Sequence, residues 1–341
     1  MLPEMFSCIF RNFRTVMACC LLSLVPLVAS ATEVEEAASP VNDRDKFKSA
    51  VRELRTGVGP RYQSLRQELD HYPLAVYLDA LVIEGNLHYG RPEDVKAFLQ
   101  RAGRSPIAMR TLRSFVRHKI EDRRWRAVVE VTEGLTLSTE LTCRRAHALL
   151  MRGETAEARL LLNRVWTIGK SQIKACDPAF KTWYSKSGPS DDVVWNRALK
   201  AADARNSTLL RYLKRFASAK LKPSLDDLGE IYRRPDRVTR KTRGSLPRQR
   251  DIAHMGVKRL AKVNPKRALD AMQALSKRFE FDQTQQTEMN SLIVRHSLFT
   301  KSAAPLDWVK SRLAELRDDE LTEIYLRSTI AEADWSSSRE G

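Results

Sequence analysis

Apolar residues recur at helical spacing along most of the chain, and this periodicity constrains the fold more than any other feature of the sequence. Phe47, Val51 and Leu54 fall at i, i+4 and i+7, which places them on one face of a helix. Similar stripes recur in four later sets: Tyr62, Leu65 and Leu69; Val95, Phe98 and Leu99; Met109, Leu112, Val116 and Ile120; Leu161, Leu162, Val165 and Trp166. Further helices are predicted over 191–205, 207–220, 247–263, 265–279, 283–299, 304–316 and 318–332.

Proline and glycine punctuate these stripes in the way that helices require. Prolines stand at or near predicted helix starts, where the missing N–H removes no hydrogen bond: Pro73, Pro92, Pro106, Pro178, Pro247, Pro265 and Pro305. Glycines follow several stripes, where a left-handed cap favours them: Gly103, Gly153, Gly169 and Gly188. Strand signals are scarce, and the best candidate, 128–132, also continues a helical pattern.

The joins between helices indicate how the helices are arranged. In the segment 151–158, one helix ends at Gly153 and the next carries the small residues Ala156 and Ala158, as in tetratricopeptide-like pairs. The segment 264–268 is a weaker copy of that turn. Because a hairpin alone buries only one face, neighbouring hairpins must stack to form a core. The predicted fold is therefore all-α, an irregular right-handed superhelix of stacked antiparallel helix hairpins.

The N-terminus has the pattern of a secretory signal peptide. Basic residues precede a short apolar run, 16–28, which ends in the small-x-small sequence Ala29-Ser30-Ala31. We expect a signal peptide over 1–31 with cleavage before Thr32, and no integral membrane span afterwards, because a span needs about 20 apolar residues. An uncleaved N-terminal anchor and a lipoprotein modified at Cys19 are the alternatives.

Export changes how the cysteines are interpreted. Three of the five cysteines lie in the signal segment, so the mature chain would keep Cys143 and Cys176. Two cysteines in an oxidising compartment are expected to form a disulfide. Closing this loop would stabilise the fold by roughly 3.5–4 kcal/mol on the chain-entropy account. The alternative is two free, buried thiols.

Sequence motifs of catalysis, cofactor binding and metal binding are not found. There is no GxGxxG, P-loop or GxSxG sequence, so we expect no cofactor. The histidines form no i, i+4 pair, so we expect no metal site, and His118 and His147 are predicted to be solvated or at the edge of the core. Asp191-Asp192, Asp226-Asp227 and Asp318-Asp319 are predicted to lie in first helical turns. A glycosidase pair of carboxylates facing a groove remains an alternative.

The chain is strongly basic, with 59 Lys and Arg against 42 Asp and Glu and a net charge of +17. The densest run, 233–250, has eight basic residues and one acidic residue. It is interpreted either as a solvated positive loop or as a site that attracts an acidic polymer of the cell envelope. A nucleic-acid partner is not expected, because no aromatic residues interleave to stack on bases. Trp183, Tyr184 and Trp195 are predicted to be core, with a sugar-stacking platform as the alternative.

The stretch 141–183 resembles the U-shaped superhelical domain of the soluble lytic murein transglycosylases. The residues that carry this resemblance are Cys143, Gly153, Ala158, Trp166, Gly169, Ser171, Cys176, Asp177, Phe180 and Trp183. Looser similarity extends over about 43–335 and rests on Tyr72-Pro73-Leu74, Tyr77-Leu78, Arg110, Leu112, Trp125 and the segments 264–275 and 320–335. Ile173 departs from the family's pattern, which has a proline there.

The resemblance implies a periplasmic protein whose partner is the glycan of peptidoglycan. In the family, a lysozyme-like domain cleaves between N-acetylmuramic acid and N-acetylglucosamine and leaves an anhydro sugar. Its Gln-Glu-Ser motif does not occur in this sequence, so no catalytic residue is expected here. The expectation is a non-catalytic scaffold that positions glycan strands. The alternatives are an active enzyme with an unrecognised carboxylate and a general helical-repeat adaptor of the envelope.

The expected organisation has four parts. Residues 1–31 are the signal peptide, 32–42 a linker, 43–335 the superhelical domain, and 336–341 an unstructured tail. The final predicted helix lacks a partner within the sequence, which suggests either a shortened gene product or completion by a separate catalytic chain.

Overall fold

The structure, a computed structural model, describes residues 40–240, 246–300 and 303–331. These residues form α-helices, two short 3-10 turns and no strand, which confirms the all-α prediction. The helices are α1 Pro40–Glu53, α2 Pro60–Glu68, α3 Ala75–Gly85, α4 Pro92–Ala102, α5 Pro106–Glu121, α6 Trp125–Val131, α7 Thr139–Arg152, α8 Thr155–Trp166, α9 Asp177–Lys186, α10 Asp191–Asp203, α11 Ser207–Leu213, α12 Lys222–Arg233, α13 Leu246–Ala261, α14 Pro265–Ser276, α15 Gln283–Ser297, α16 Leu306–Leu316 and α17 Asp319–Ala331.

The ends of the chain bear on the expected organisation. The signal segment 1–31 and the tail 336–341 lie outside the described residues. Helix α1 begins at Pro40, so the last residues of the expected linker 32–42 are already helical. Within the described ranges, none of the helices combines the length and the apolar character that crossing a bilayer requires.

Helices pack on their neighbours in sequence and on the next helix but one. Contacts between consecutive helices join α7 to α8 and α13 to α14. Contacts between alternate helices join α1, α3, α5, α7 and α9 into one continuous layer. Among the described residues, helices in substantial contact are never more than three positions apart along the chain. This locality is the signature of a solenoid, in which each repeat contacts only its neighbours.

The core runs along the solenoid as three apolar clusters. The first lies between α1, α2 and α3 around Leu69, and the second lies between α3 and α7 around Phe98 and Phe115. The third and longest extends from Cys143 to Tyr325. Because each cluster is built from the stripes of adjacent helices, the core is distributed along the array and has no single centre.

The segment 128–132, whose sequence is compatible with either a helix or a strand, is helical in the structure. It lies in and just after α6, and Thr132 Oγ1 donates a hydrogen bond of 2.6 Å to the carbonyl of Val128. The side chains of Val128 and Val131 are buried in the second cluster. The helical interpretation of this segment is therefore correct, and the strand interpretation is wrong.

One predicted helix, 207–220, is too long. Helix α11 ends at Leu213, and the chain turns because the carboxylate of Asp191 accepts hydrogen bonds from both the backbone N–H and the hydroxyl of Ser218. Phe216 inserts its ring 5.6 Å from that of Trp166 and so occupies the core within the turn. Helix α12, which follows, was not predicted.

Gly169 was predicted to be a left-handed cap, and this is wrong. The loop after α8 instead rests directly on the C-terminal end of α10. A Cβ at Gly169 would lie 2.3 Å from the carbonyl oxygen of Lys200, which is an impossible contact. Lys200 Nζ donates to the carbonyl of Thr167 at 3.1 Å and strengthens the same junction. Glycine is therefore required here by close approach of two backbones.

A buried tyrosine in the first cluster gives the stability a dependence on alkaline pH. Tyr62 is 4% exposed, and its hydroxyl has no hydrogen-bond partner among the described residues. Burial raises the pKa of this phenol from 10.0 to about 12, and the carboxylate of Asp79 adds to the effect. The phenol therefore stabilises the fold below pH 10, and that contribution is lost as the pH rises through 12.

We expect Tyr62→Phe to change the free energy of unfolding little at pH 7, because the deleted hydroxyl makes no hydrogen bond. Between pH 10 and pH 12 the wild type should lose about 1–3 kcal/mol more than the variant. Urea denaturation at matched pH values measures this difference. An identical alkaline loss in both proteins would contradict the assignment to Tyr62.

Candidate functional site

A cleft of about 810 Å³ opens where α11, α12 and the 3-10 turn Pro235–Arg237 meet. Buried Leu210 and Leu225 form its apolar floor. Five basic and two acidic side chains stand on its walls, namely Arg211, Lys214, Arg233, Arg234, Arg237, Asp226 and Glu230. We call this site the basic cleft.

The two acidic side chains of the basic cleft are already engaged. Asp226 forms an ion pair with Lys214, and Glu230 accepts a hydrogen bond of 2.9 Å from Arg237. Each of these pairs neutralises one basic residue. The acids therefore leave the remaining three arginines of the cleft uncompensated.

Those three arginines give the cleft a net positive charge. Arg211 and Arg234 are exposed and make no ion pair with any residue that the structure describes. Arg233 uses its Nε to donate to the carbonyl of Gly229 at 3.1 Å, which orients its guanidinium at the cleft. Guanidinium groups bind carboxylates through paired N–H donors, so this geometry suits a carboxylate-bearing ligand.

An aromatic residue also lines the cleft, but one face of it is occupied. The guanidinium of Arg259 lies 4.0 Å from the ring centre of Tyr232. This stacking fixes the ring between α12 and α13. Tyr232 therefore contributes a polar hydroxyl and a ring edge to the site, and it adds another cation nearby.

The basic run 233–250 does not behave as a single solvated loop. Its first part lines the basic cleft, and Val238 then inserts into the core, where its Cγ2 would lie 2.4 Å from a Cβ at Gly256. Residues 241–245 lie outside the described residues. Arg248 and Arg250 belong to α13 and contact Asp192 and the carbonyl of Glu280.

A second basic surface lies on α5, in the N-terminal part of the array. Arg110, Arg113 and Arg117 share one face of the helix and line a shallow depression of about 350 Å³ with Glu140. Arg110 is paired with Glu84 at 3.3 Å. Arg113 and Arg117 make no ion pair among the described residues, so the positive charge is not confined to the basic cleft.

The two predicted disulfide cysteines are bonded, with Cα atoms 4.9 Å apart. Cys143 lies in α7, and Cys176 ends the 3-10 turn Lys174–Cys176 that precedes α9. Both side chains are fully buried. The bond ties α7 to the start of α9 and confirms the pairing that the sequence suggested.

The aromatic trio is core, and the alternative of a sugar-stacking platform is wrong. Trp183 and Trp195 are buried, and the indole N–H of Trp195 donates to Asp251 at 2.8 Å. The hydroxyl of Tyr184 accepts a hydrogen bond of 2.6 Å from the indole of Trp166. These rings join α8, α9, α10 and α13 and present no stacking surface to a ligand.

The acidic pairs differ in their outcome. Asp191 and Asp192 lie in the first turn of α10, and Asp319 lies in the first turn of α17, as predicted. Asp318 instead precedes α17 and caps it, because its carboxylate accepts a hydrogen bond of 3.1 Å from Leu321 N. Asp226 and Asp227 do not lie in a first turn, because α12 begins four residues earlier, at Lys222. Asp227 is instead fully buried.

Comparison with known sequences shows similarity to proteins named soluble lytic murein transglycosylase. It is 25% identical over 229 residues to the soluble lytic murein transglycosylase of Escherichia coli K12, covering 66% of this chain and 35% of that protein. It is 30% identical over 141 residues to the enzyme of the same name from Salmonella typhimurium LT2, covering 41% of this chain and 22% of the relative.

Solved structures agree in fold. The 70-kDa soluble lytic transglycosylase in complex with bulgecin A matches with a TM-score of 0.62 and 19% identity, over 88% of this chain and 49% of that one. An inactive variant of the lytic transglycosylase Slt from Pseudomonas aeruginosa matches with a TM-score of 0.56 and 23% identity, over 86% and 48%. The chain thus spans about half the length of the solved chains it matches.

One further comparison covers a short segment. A family model described as cucumovirus coat protein matches residues 154–245. The matched segment is less than a third of the chain. Within the described residues, it comprises helices α8 to α12 of the solenoid.

Proposed function

We propose that the chain is a member of the soluble lytic murein transglycosylase family, to which it is similar in sequence and in its all-helical fold, and that it is a scaffold that holds murein glycan strands. The observation that carries the proposal is the basic cleft, where Arg211, Arg233 and Arg234 line the cavity without an ion-pair partner among the described residues. Murein bears free carboxylates on its peptide stems. A cleft with surplus guanidinium groups therefore suits this polymer chemically.

The proposed scaffold binds without cleaving. Cleavage in such enzymes needs an acid free to exchange a proton with the glycosidic oxygen. The acids in the cleft, Asp226 and Glu230, are engaged by Lys214 and Arg237. The cleft is thus built to retain an anionic strand, and the domain 43–335 would present that strand to a reaction centre elsewhere, in the same protein or in a separate chain.

The proposal includes a location. The signal-like segment 1–31 and the disulfide between Cys143 and Cys176 both fit an oxidising compartment outside the cytoplasm. The murein partner places that compartment in the periplasm. Nucleic acid is not part of this proposal.

We expect the purified chain to sediment with isolated murein sacculi and to leave murein intact in a zymogram. Retention follows from attraction between the uncompensated arginines and the stem carboxylates, and the absence of clearing follows from the engaged acids. Clearing by the chain alone would favour an active enzyme. A chain that stays in the supernatant would favour a general envelope adaptor, and either outcome would contradict the scaffold proposal.

A further inference from the structure

Two histidines and an aspartate from different parts of the sequence meet at the C-terminal end of α5. His118 and Asp122 lie one helical turn apart at the end of that helix, and His88 comes from the loop between α3 and α4. The nearest atoms are His88 Nδ1 and Asp122 Oδ2 at 3.1 Å, and His118 Nε2 and Asp122 Oδ2 at 3.5 Å.

The separations match those of metal ligands. One atom from each of the three side chains lies within 4.8 Å of both others. Bonds of about 2.0–2.2 Å from zinc to nitrogen and oxygen, arranged tetrahedrally, place neighbouring ligand atoms about 3.4 Å apart. The three atoms are therefore close enough together to share one ion.

The polar atoms at the centre of this cluster lack other partners. Asp122 Oδ2 and His118 Nε2 are shielded from solvent, and beyond the contacts within the cluster neither has a hydrogen-bond partner among the described residues. A buried carboxylate oxygen normally accepts a hydrogen bond, and leaving it without one is unfavourable. A bound cation would satisfy the lone pairs of both atoms at once.

The backbone that carries the cluster is held in place. Lys119 Nζ donates a hydrogen bond of 2.8 Å to the carbonyl of His88, which fastens the loop to α5. The N–H of Gly90 donates to the carbonyl of Asn86 at 2.7 Å and closes the loop on itself. The cluster is therefore preorganised, which reduces the ordering that a bound ion would require.

We propose that His88, His118 and Asp122 bind a divalent transition-metal ion of the zinc class. Two imidazoles and one carboxylate select such ions over Ca²⁺ and Mg²⁺, which prefer all-oxygen ligands. Three protein ligands leave one position open for water or another ligand. The ion would fasten the loop after α3 to α5, and this role does not depend on the proposed function. The sequence predicted no metal site, because its histidines form no i, i+4 pair and have no HExxH context.

Titration calorimetry of the chelator-treated full chain with ZnCl₂ tests the proposal, with MgCl₂ as the comparison. We expect one Zn²⁺ per chain and no heat from Mg²⁺. His118→Ala and Asp122→Asn should each weaken Zn²⁺ binding by at least the roughly 10–100-fold that follows loss of an outer-shell partner. His71→Ala, which changes another exposed histidine, should leave the affinity unchanged.

Each outcome of this experiment decides the question. Circular dichroism confirms that each variant is folded, and Asp122→Asn keeps the size and polarity of the side chain. Loss of binding in the two cluster variants, with retention in His71→Ala, supports the site. Absence of Zn²⁺ binding in the wild type overturns the proposal and leaves His88, His118 and Asp122 as an ion-pair cluster. Equal binding by all four proteins overturns it as well, because the metal then lies elsewhere.

Discussion

Replacing both disulfide cysteines, in the variant Cys143→Ala with Cys176→Ala, is expected to lower the free energy of unfolding by roughly 3.5–4 kcal/mol. The bond closes a loop with a sequence separation of 33 and so restricts the unfolded chain. Alanine is chosen because both positions are fully buried and a serine hydroxyl would lack partners there. Urea denaturation measures the loss.

Reduction supplies the matched control for this prediction. Dithiothreitol should destabilise the wild type by a similar amount and should leave the double variant unchanged. A wild type that is equally stable with and without reductant would contradict the account, because the disulfide would then not restrict the unfolded chain.

The second large effect is expected from Trp166→Ala, which should lower the free energy of unfolding by about 3–5 kcal/mol. The indole is fully buried and meets the ring of Trp183 edge-on at 6.0 Å. The guanidinium of Arg197 lies 4.3 Å from the centre of the Trp166 ring. The indole N–H of Trp166 donates a hydrogen bond to the hydroxyl of Tyr184. The substitution therefore removes an apolar volume, a cation–π contact and a hydrogen bond together.

Tyr184→Phe separates these contributions. It deletes the acceptor of the indole N–H and leaves the Trp166 ring in place, so the expected loss is about 1–3 kcal/mol. Both variants are compared by urea denaturation with the disulfide intact. A loss below about 1 kcal/mol for Trp166→Ala would mean that the site collapses without a cavity, which is incompatible with the packing around this ring.

The local features of the fold were predictable from the sequence. Stripes such as Met109, Leu112, Val116 and Ile120 predicted α5 because burial of one helical face leaves a period of about 3.6 residues in the sequence. The disulfide was predictable from the cysteine count once export was expected. Pro92 and Pro106 marked helix starts because a first-turn proline removes no hydrogen bond.

The misses arise from contacts between distant parts of the chain. The end of α11 depends on Asp191, which captures Ser218 from 27 residues away. The role of Gly169 depends on the carbonyl of Lys200, which no local pattern reveals. In both places a tertiary contact overrides the local preference.

The candidate sites were hidden for the same reason. The basic cleft combines Arg211 with Arg233 and Arg234, and the sequence shows only the second group as a charge run. The proposed metal site combines His88 with His118, which lie on different elements. A search for histidine pairs at helical spacing does not detect such a combination, although the i, i+4 spacing of His118 and Asp122 was a usable signal.

The most direct test of the central claim is the retention of the chain on murein sacculi as the salt concentration rises. Wild-type protein is compared with Arg211→Glu combined with Arg234→Glu, and with a control of equal charge change on exposed residues of α14, Lys266→Glu combined with Arg267→Glu. At about 0.05 M salt, wild type and control should be retained and the cleft variant largely released. Retention of the wild type should fall steeply by about 0.5 M, because the Debye length shortens. Equal retention of all three proteins would contradict the claim that the basic cleft holds murein. Retention of the wild type that does not change with salt concentration would contradict it as well.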